Sequence, residues 1–189
     1  MAVNGLTLMT PSSITYSGTG SSATINSDGS VSFTDITTLN LKGVFNSSYN
    51  NYYFAMNSKM FAGSNDVVWM GGLNSAGNQL ASNNHDTQTL NVDGGSIGSL
   101  RYTNVVGWFD KIRLADNYGY DNLTNGYIFN SFVGLGHKVI SHNTMNRDTT
   151  YPAFQRFNGF TWDATSWFGM YLTCGPKLTG SITIYALNQ

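Results

Sequence analysis

Apolar and polar residues alternate in short runs along this chain, and Gly, Asn, Asp and Ser interrupt the runs at close spacing. Alternation sends successive side chains to opposite faces, so each run reads as a strand with one side toward a core. Ala23-Thr24-Ile25-Asn26 and Ser30-Val31-Ser32-Phe33-Thr34 flank Ser27-Asp28-Gly29. The Asp-Gly pair tolerates positive φ, so the stretch predicts a β-hairpin. Val31 and Phe33 then share one face and Ser30, Ser32 and Thr34 the other. In the next run Leu39, Leu41 and Gly43 alternate with Asn40 and Lys42. From Tyr52 to Ala62, Phe54, Met56 and Ser58 take one parity while Tyr53, Ala55 and Asn57 take the other. Val67-Val68-Trp69-Met70 follows as a short apolar strand, and strand signals resume at Asn104–Leu114, Gly126–Leu135, His137–Met145 and Ser166–Thr173. The clearest strand is Gly180–Leu187, where Ile182, Ile184 and Ala186 oppose Thr183, Tyr185 and Leu187.

Residues Leu73 to Ser99 are polar and glycine-rich and read as a loop region broken by a short strand at Thr87–Val92. Pro11, Pro152 and Pro176 all fall in text that reads as connections. No repeat of about 20–50 residues is evident, which disfavours a solenoid. Many short strands with frequent turns predict an all-β, antiparallel β-sandwich of jelly-roll-like type. Its parts are an N-terminal docking arm or edge strand over residues 1–26 and a sandwich body over 27–189.

Composition strengthens the strand reading. The acidic residues are all Asp, with no Glu anywhere. Glu favours helix interiors, whereas Asp hydrogen-bonds locally and favours caps and turns. Only 10% of residues are charged, against about 25% in an ordinary soluble domain. The formal net charge of -1 and the 14% aromatic content do not fit disorder, which pairs low hydrophobicity with high net charge. A net charge near zero promotes association and suits a chain whose working state is an assembly. So few Lys and Arg residues argue against nucleic-acid binding, which needs them along the phosphates. No apolar stretch of about 18 residues is present to span a bilayer as a helix, so no membrane insertion is expected. Met1-Ala2-Val3-Asn4-Gly5-Leu6 lacks the basic start and long apolar run of a signal peptide. Cys174 is the only cysteine, which rules out an intramolecular disulfide and predicts a buried thiol.

Candidate chemistry is sparse. Paired-carboxylate catalysis would draw on Asp110, Asp116, Asp121, Asp148 and Asp163, but these lie in turn-like text where a turn role suffices. His137 and His142 are five apart on a predicted strand and so face opposite ways, which gives no joint metal site with His85. Asp116-Asn117-Tyr118-Gly119-Tyr120-Asp121-Asn122 is rich in oxygen ligands but lacks the order of a helical calcium loop, and reads as a turn. No Gly-x-Ser-x-Gly elbow occurs. No catalytic residue, cofactor or metal ligand is assigned, and no enzyme is expected. The aromatic surplus includes Trp69, Trp108, Trp162 and Trp167; core or interface packing is its commoner use, with stacking on sugars second. Tyr118, Tyr120, Asp121 and Asn122 are the candidate ligand-binding residues, because tyrosines in a polar turn are the most exposed.

From Leu6 onward the chain resembles short structural proteins from the virions of tailed phages, notably those of cyanobacteria and other marine bacteria. The resemblance is carried by Leu8-Met9-Thr10-Pro11-Ser12-Ser13-Ile14, by Ser22 to Phe33 and by Leu39 to Tyr52. Leu178-Thr179-Gly180-Ser181-Ile182-Thr183-Ile184-Tyr185 carries it at the other end. It is weak from about Leu73 to Tyr151. The resemblance implies a β-sandwich virion protein on a tail appendage, a fibre or the capsid surface, with no catalytic residues. By analogy with fibres and capsid axes, the expected partners are other virion proteins and further copies of the chain, as a homotrimer. Contribution to host attachment, through a surface glycan or receptor, is the companion expectation; a lectin-like binding module is the alternative.

Overall fold

The computed structural model describes residues 5–60, 67–80, 85–93, 96–102, 112–116, 121–132, 138–147, 152–161 and 165–188. Its strands are β1 (Leu6–Leu8), β2 (Ser13–Ser17), β3 (Ser22–Ile25), β4 (Val31–Lys42), β5 (Tyr52–Met60), β6 (Val67–Leu73) and β7 (His85–Asp93). There follow β8 (Ser96–Tyr102), β9 (Ile112–Asp116), β10 (Asp121–Phe129), β11 (Lys138–Arg147), β12 (Pro152–Thr161) and β13 (Gly169–Leu187). Among the described residues there is no helix. The strand pairs are antiparallel and link into one sheet, curled as a half-barrel around an apolar core. The expected all-β, sandwich-like class is therefore what the chain forms.

The predicted hairpin joins β3 to β4, with Ile25 opposite Val31. Asp28 shapes its turn: Oδ1 accepts the Ser30 N–H at 3.0 Å and the Ser30 hydroxyl at 2.6 Å. Those bonds, the hydroxyl first, hold the Asp28 carboxyl below its ordinary pKa. Gly29 takes φ 76°, a conformation that costs glycine no side-chain clash.

The architecture turns on β13. One edge pairs with β4. The other pairs with β6 over Gly169–Thr173 and then with β5 over Leu178–Ala186. Between Thr173 and Gly180 β13 advances seven residues while β4 advances five, from Thr38 to Phe33. The even difference matters, because a one-residue slip would turn every following side chain outward. Met170, Leu172, Cys174, Leu178, Ile182, Ile184 and Ala186 thus all stay on the core side. β4 breaks at the same place, where Asp35 adopts φ 53° and its N–H donates to Thr179 Oγ1 at 3.0 Å. The Cys174 thiol, buried as expected, donates to the Ile36 carbonyl at 3.6 Å.

Phe54, Met56, Leu39, Leu41, Val68 and Met70 complete the core with the aromatic group Phe45, Tyr52 and Trp167. Phe45 and Tyr52 lie 4.6 Å apart between ring centroids. Removing each such side chain from water contributes about 1.5–3 kcal/mol. β9 lies against β7, β10, β11 and β12, so the β6–β9 pair forms a second layer across that part of the sheet.

Several boundaries differ from the sequence expectation. Leu73–Ser99 is not mainly loop, for β7 and β8 pair there as a hairpin. The short strand expected at Thr87–Val92 lies inside β7, which runs two residues further at its start and one at its end and is held by its pairing with β12 and β8. β12 escaped the reading because Phe154, Phe157 and Phe160 recur every third residue, which matches no strand parity. Pro152 begins this strand instead of lying in a connection, at a position where a missing N–H is tolerated. Pro176 lies within β13 at the register break, and the two strands expected over Ser166–Thr173 and Gly180–Leu187 are one. Most of the strand expected at Asn104–Leu114 lies outside the described residues, as do residues 133–135 and 137 of the next two.

Candidate interaction face

β10 reads Asp-Asn-Leu-Thr-Asn-Gly-Tyr-Ile-Phe, and its burial alternates strictly. The polarity over its first half is inverted. Asn122 and Thr124 are fully buried, while Leu123 is 54% exposed and Tyr127 is 44% exposed. Asn122 pairs in register with Ser58 of β5, itself buried, so the inner side of the sheet carries a polar row at this end.

Backbone register can be followed across the sheet from Leu123. Leu123 stands opposite Met145, Met145 opposite Phe154, Phe154 opposite Val92, and Val92 opposite Ile97. The backbones of five neighbouring strands thus set five apolar residues in one row. At its far end Ile97 is 77% exposed, and Leu90, two residues before Val92, is 43% exposed. In the other direction Tyr127 stands opposite Tyr53, Tyr53 opposite Tyr185, and Tyr185 opposite Leu8. The ring centroids lie 5.3 Å apart for Tyr53 and Tyr127 and 6.3 Å apart for Tyr53 and Tyr185. Phe129 stacks on Tyr127 at 6.0 Å. Partial burial, then the neighbouring Tyr127 and Tyr185 phenols, raise the Tyr53 pKa, so the group is neutral at physiological pH.

Among the described residues the exposed large apolar side chains are Leu8, Tyr16, Leu90, Ile97, Leu123 and Tyr127. All but Tyr16 lie on this one outward face. They are spread along it, from Leu8 on β1 to Ile97 on β8, with Leu123 and Tyr127 together on β10, and exposed apolar residues at this many points of one side make it a candidate interaction surface.

The candidate ligand residues are placed differently. Tyr118 and Tyr120 lie outside the described residues. Asp121 is exposed at the start of β10, and Asn122 is buried on the opposite side of the strand. Adjacent residues on a strand cannot share a face, so Asp121 and Asn122 do not form one surface, and Asn122 belongs with the inner polar row. Of the tryptophans, Trp167 is buried in the core, and Trp108 and Trp162 lie outside the described residues. Among the described residues no group of three or more His, Cys, Asp or Glu side chains is placed to hold a metal ion. A cleft of about 230 Å³ lies between Ser12–Ser13 and the Asn74–Gly77 turn, with Lys42 at its side and Phe168 in its lining. Sequence reading missed the tyrosine row because Tyr53, Tyr127 and Tyr185 lie far apart in the chain. The signal that was available was the unusual Leu123 and Tyr127 parity opposite Asn122 and Thr124.

No family model matches the chain, and no curated protein matches it.

Proposed function

We propose that this chain is a non-enzymatic structural protein of a bacteriophage virion, located on a tail appendage or fibre or on the capsid surface. It works there as a homo-oligomer, with threefold order favoured by analogy, and contributes to host attachment. The observation that supports assembly is the outward side of the sheet, which among the described residues carries five of the six exposed large apolar side chains, in a chain of formal net charge -1. Apolar surface of that kind, on a chain with little charge to keep copies apart, suits a building unit. The phage assignment itself is supported by the sequence resemblance at the two ends of the chain. Immunogold labelling of purified phage particles carrying this gene tests it. Gold on tail appendages or capsids is the expected result, and particles free of the chain would end the assignment.

A second reading, a glycan- or receptor-binding module, is favoured by the Tyr53–Tyr127–Tyr185 row. Phenol rings offer an apolar body and a polar tip, which suits sugars as well as proteins. Screening on a glycan array tests it directly. Absence of any bound glycan, or binding that survives Tyr127→Ala unchanged, removes this reading.

A further inference from the structure

We propose that the cleft between Ser12–Ser13 and the Asn74–Gly77 turn binds a small sugar acid, a six-membered ring carrying one negative charge. The site goes beyond the functions proposed above. It lies where β4 ends beside Gly169, at the opposite end of β13 from Tyr185 and the tyrosine row.

Charge selects the class of ligand. Among the described residues Lys42 supplies the only charge in the lining, which contains no Asp or Glu. Its ammonium has no acidic partner among them either. The turn sets its position. A methyl group added at Gly77 would come 2.7 Å from Lys42 Cε and 2.9 Å from Nζ, so the Lys42 chain already lies across that glycine. Gly77 takes φ 78°, a conformation open to glycine without a clash. An ammonium with no acid to neutralise it favours an anion at this cleft. One ammonium balances one charge, so a carboxylate or a sulfate ester suits it better than a phosphate of nearly two charges.

Size and the remaining groups select its body. The cleft holds about 230 Å³, whereas a cavity of ~150 Å³ accepts a benzene ring. One substituted ring therefore fits, and a long chain does not. Leu73, fully buried, and Phe168, half-buried, form an apolar side. Ser13 and Ser75 form a polar one, and their hydroxyls have no protein partner among the described residues. A sugar ring offers apolar C–H faces and hydroxyl edges, so it meets the phenyl ring and the serines together. The walls are built in advance. The Ser12 N–H donates to the Lys42 carbonyl at 2.9 Å, the Gly77 N–H to the Asn74 carbonyl at 2.9 Å, and the Phe168 N–H to the Leu73 carbonyl at 2.8 Å. Phe132 meets Phe168 edge to face, with ring centroids 4.8 Å apart. Binding then has little of the cleft left to order.

Saturation-transfer NMR on the full chain compares glucuronate, glucose 6-sulfate and glucose, with Lys42→Met, Lys42→Arg and Tyr127→Ala variants alongside. The expected result is binding of at least one of the two acids, with glucose about tenfold weaker. Lys42→Met should weaken the bound acid by about the same factor, and Lys42→Arg should restore it. Tyr127→Ala should leave the affinity unchanged, which separates the cleft from the tyrosine row. Binding of glucuronate alone assigns a carboxylate, and binding of the sulfate alone a sulfate ester. Backbone amide shifts of the unaltered chain supply a second readout if a Lys42 variant misfolds. Titration with either acid should move Ser13, Lys42, Ser75 and Gly77. Equal affinity for glucose and the acids, or affinity unchanged in Lys42→Met, overturns the proposal. Shifts confined to Tyr53, Tyr127 and Tyr185 overturn it while supporting the glycan reading of that row. No binding of any of the three sugars in the millimolar range overturns it outright.

Discussion

Lys177 Nζ lies 3.0 Å from Asp35 Oδ2 and ties β13 to β4 where both strands leave regular register. Asp35 is held at φ 53°, and each side chain is a little over one third exposed. The pair is therefore weak as an ion pair, worth about 0–1 kcal/mol once solvent screening is counted. Its place is what matters, because the corner beside it lets β13 serve two sets of partners.

Asp35 should therefore be sensitive to backbone preference more than to charge. Asp35→Asn keeps a residue that tolerates left-handed conformation and should cost no more than about 1 kcal/mol. Asp35→Val forces a β-branched residue into that region and should cost about 1–2 kcal/mol more. Urea unfolding midpoints measure both, and equal midpoints would remove the strain argument.

Ser58 is buried at 2% exposure, and among the described residues its Oγ has no hydrogen-bond partner. Burying an unsatisfied hydroxyl costs about 1–3 kcal/mol. Ser58→Ala should accordingly leave stability unchanged or raise it by about 1 kcal/mol. A clear loss on thermal unfolding would show that the hydroxyl is engaged.

Gly72 of β6 lies directly beneath the Trp167 indole, so a methyl group there would meet the ring. Trp167 is itself 1% exposed and has no room to withdraw. Gly72→Ala should destabilise by about 1–3 kcal/mol through overpacking, with a blue or red shift in tryptophan fluorescence. An unchanged melting temperature and spectrum would contradict this packing.

The Tyr52 hydroxyl accepts the Asn46 N–H at 3.0 Å and lies 3.2 Å from both the Asn46 and the Tyr49 carbonyls. Burial raises its pKa above the ordinary value of 10.0. The folded state therefore keeps the proton after the unfolded state has lost it. Stability is complete below the unfolded pKa and falls as pH rises from there toward the raised folded pKa. Tyr52→Phe should lose about 1–2 kcal/mol near neutral pH by freeing the Asn46 N–H. Its stability should also decline less steeply at alkaline pH, which denaturant titrations across that range would test.

The strand class and much of the local chemistry were legible in the sequence. The Asp28-Gly29 turn, the parity of Phe54, Met56 and Ser58, and the closing run from Ile182 to Ala186 are all where the pattern put them. These features are local, because turn geometry and alternation depend on neighbours a few residues away. β8 and β12 were not legible, because Ile97 and Leu100 in the one and the phenylalanines of the other are spaced by three and match no strand parity, and β7 was legible only as its middle, Thr87–Val92. The candidate turn residues did not resolve into a site either, because Asp121 and Asn122 proved to lie on a strand with opposite faces.

The sequence by itself determined that this chain forms turns and strands: lacking glutamate, rich in Asn, Ser, Thr and Gly, it offers little to a helix and much to a hairpin. The tertiary structure alone decided which strands meet. It brought Tyr53, Tyr127 and Tyr185 side by side and joined Leu123 to Ile97 in one row. The physical reason is that register between distant strands is set by the core they share, and no stretch of contiguous residues contains that core.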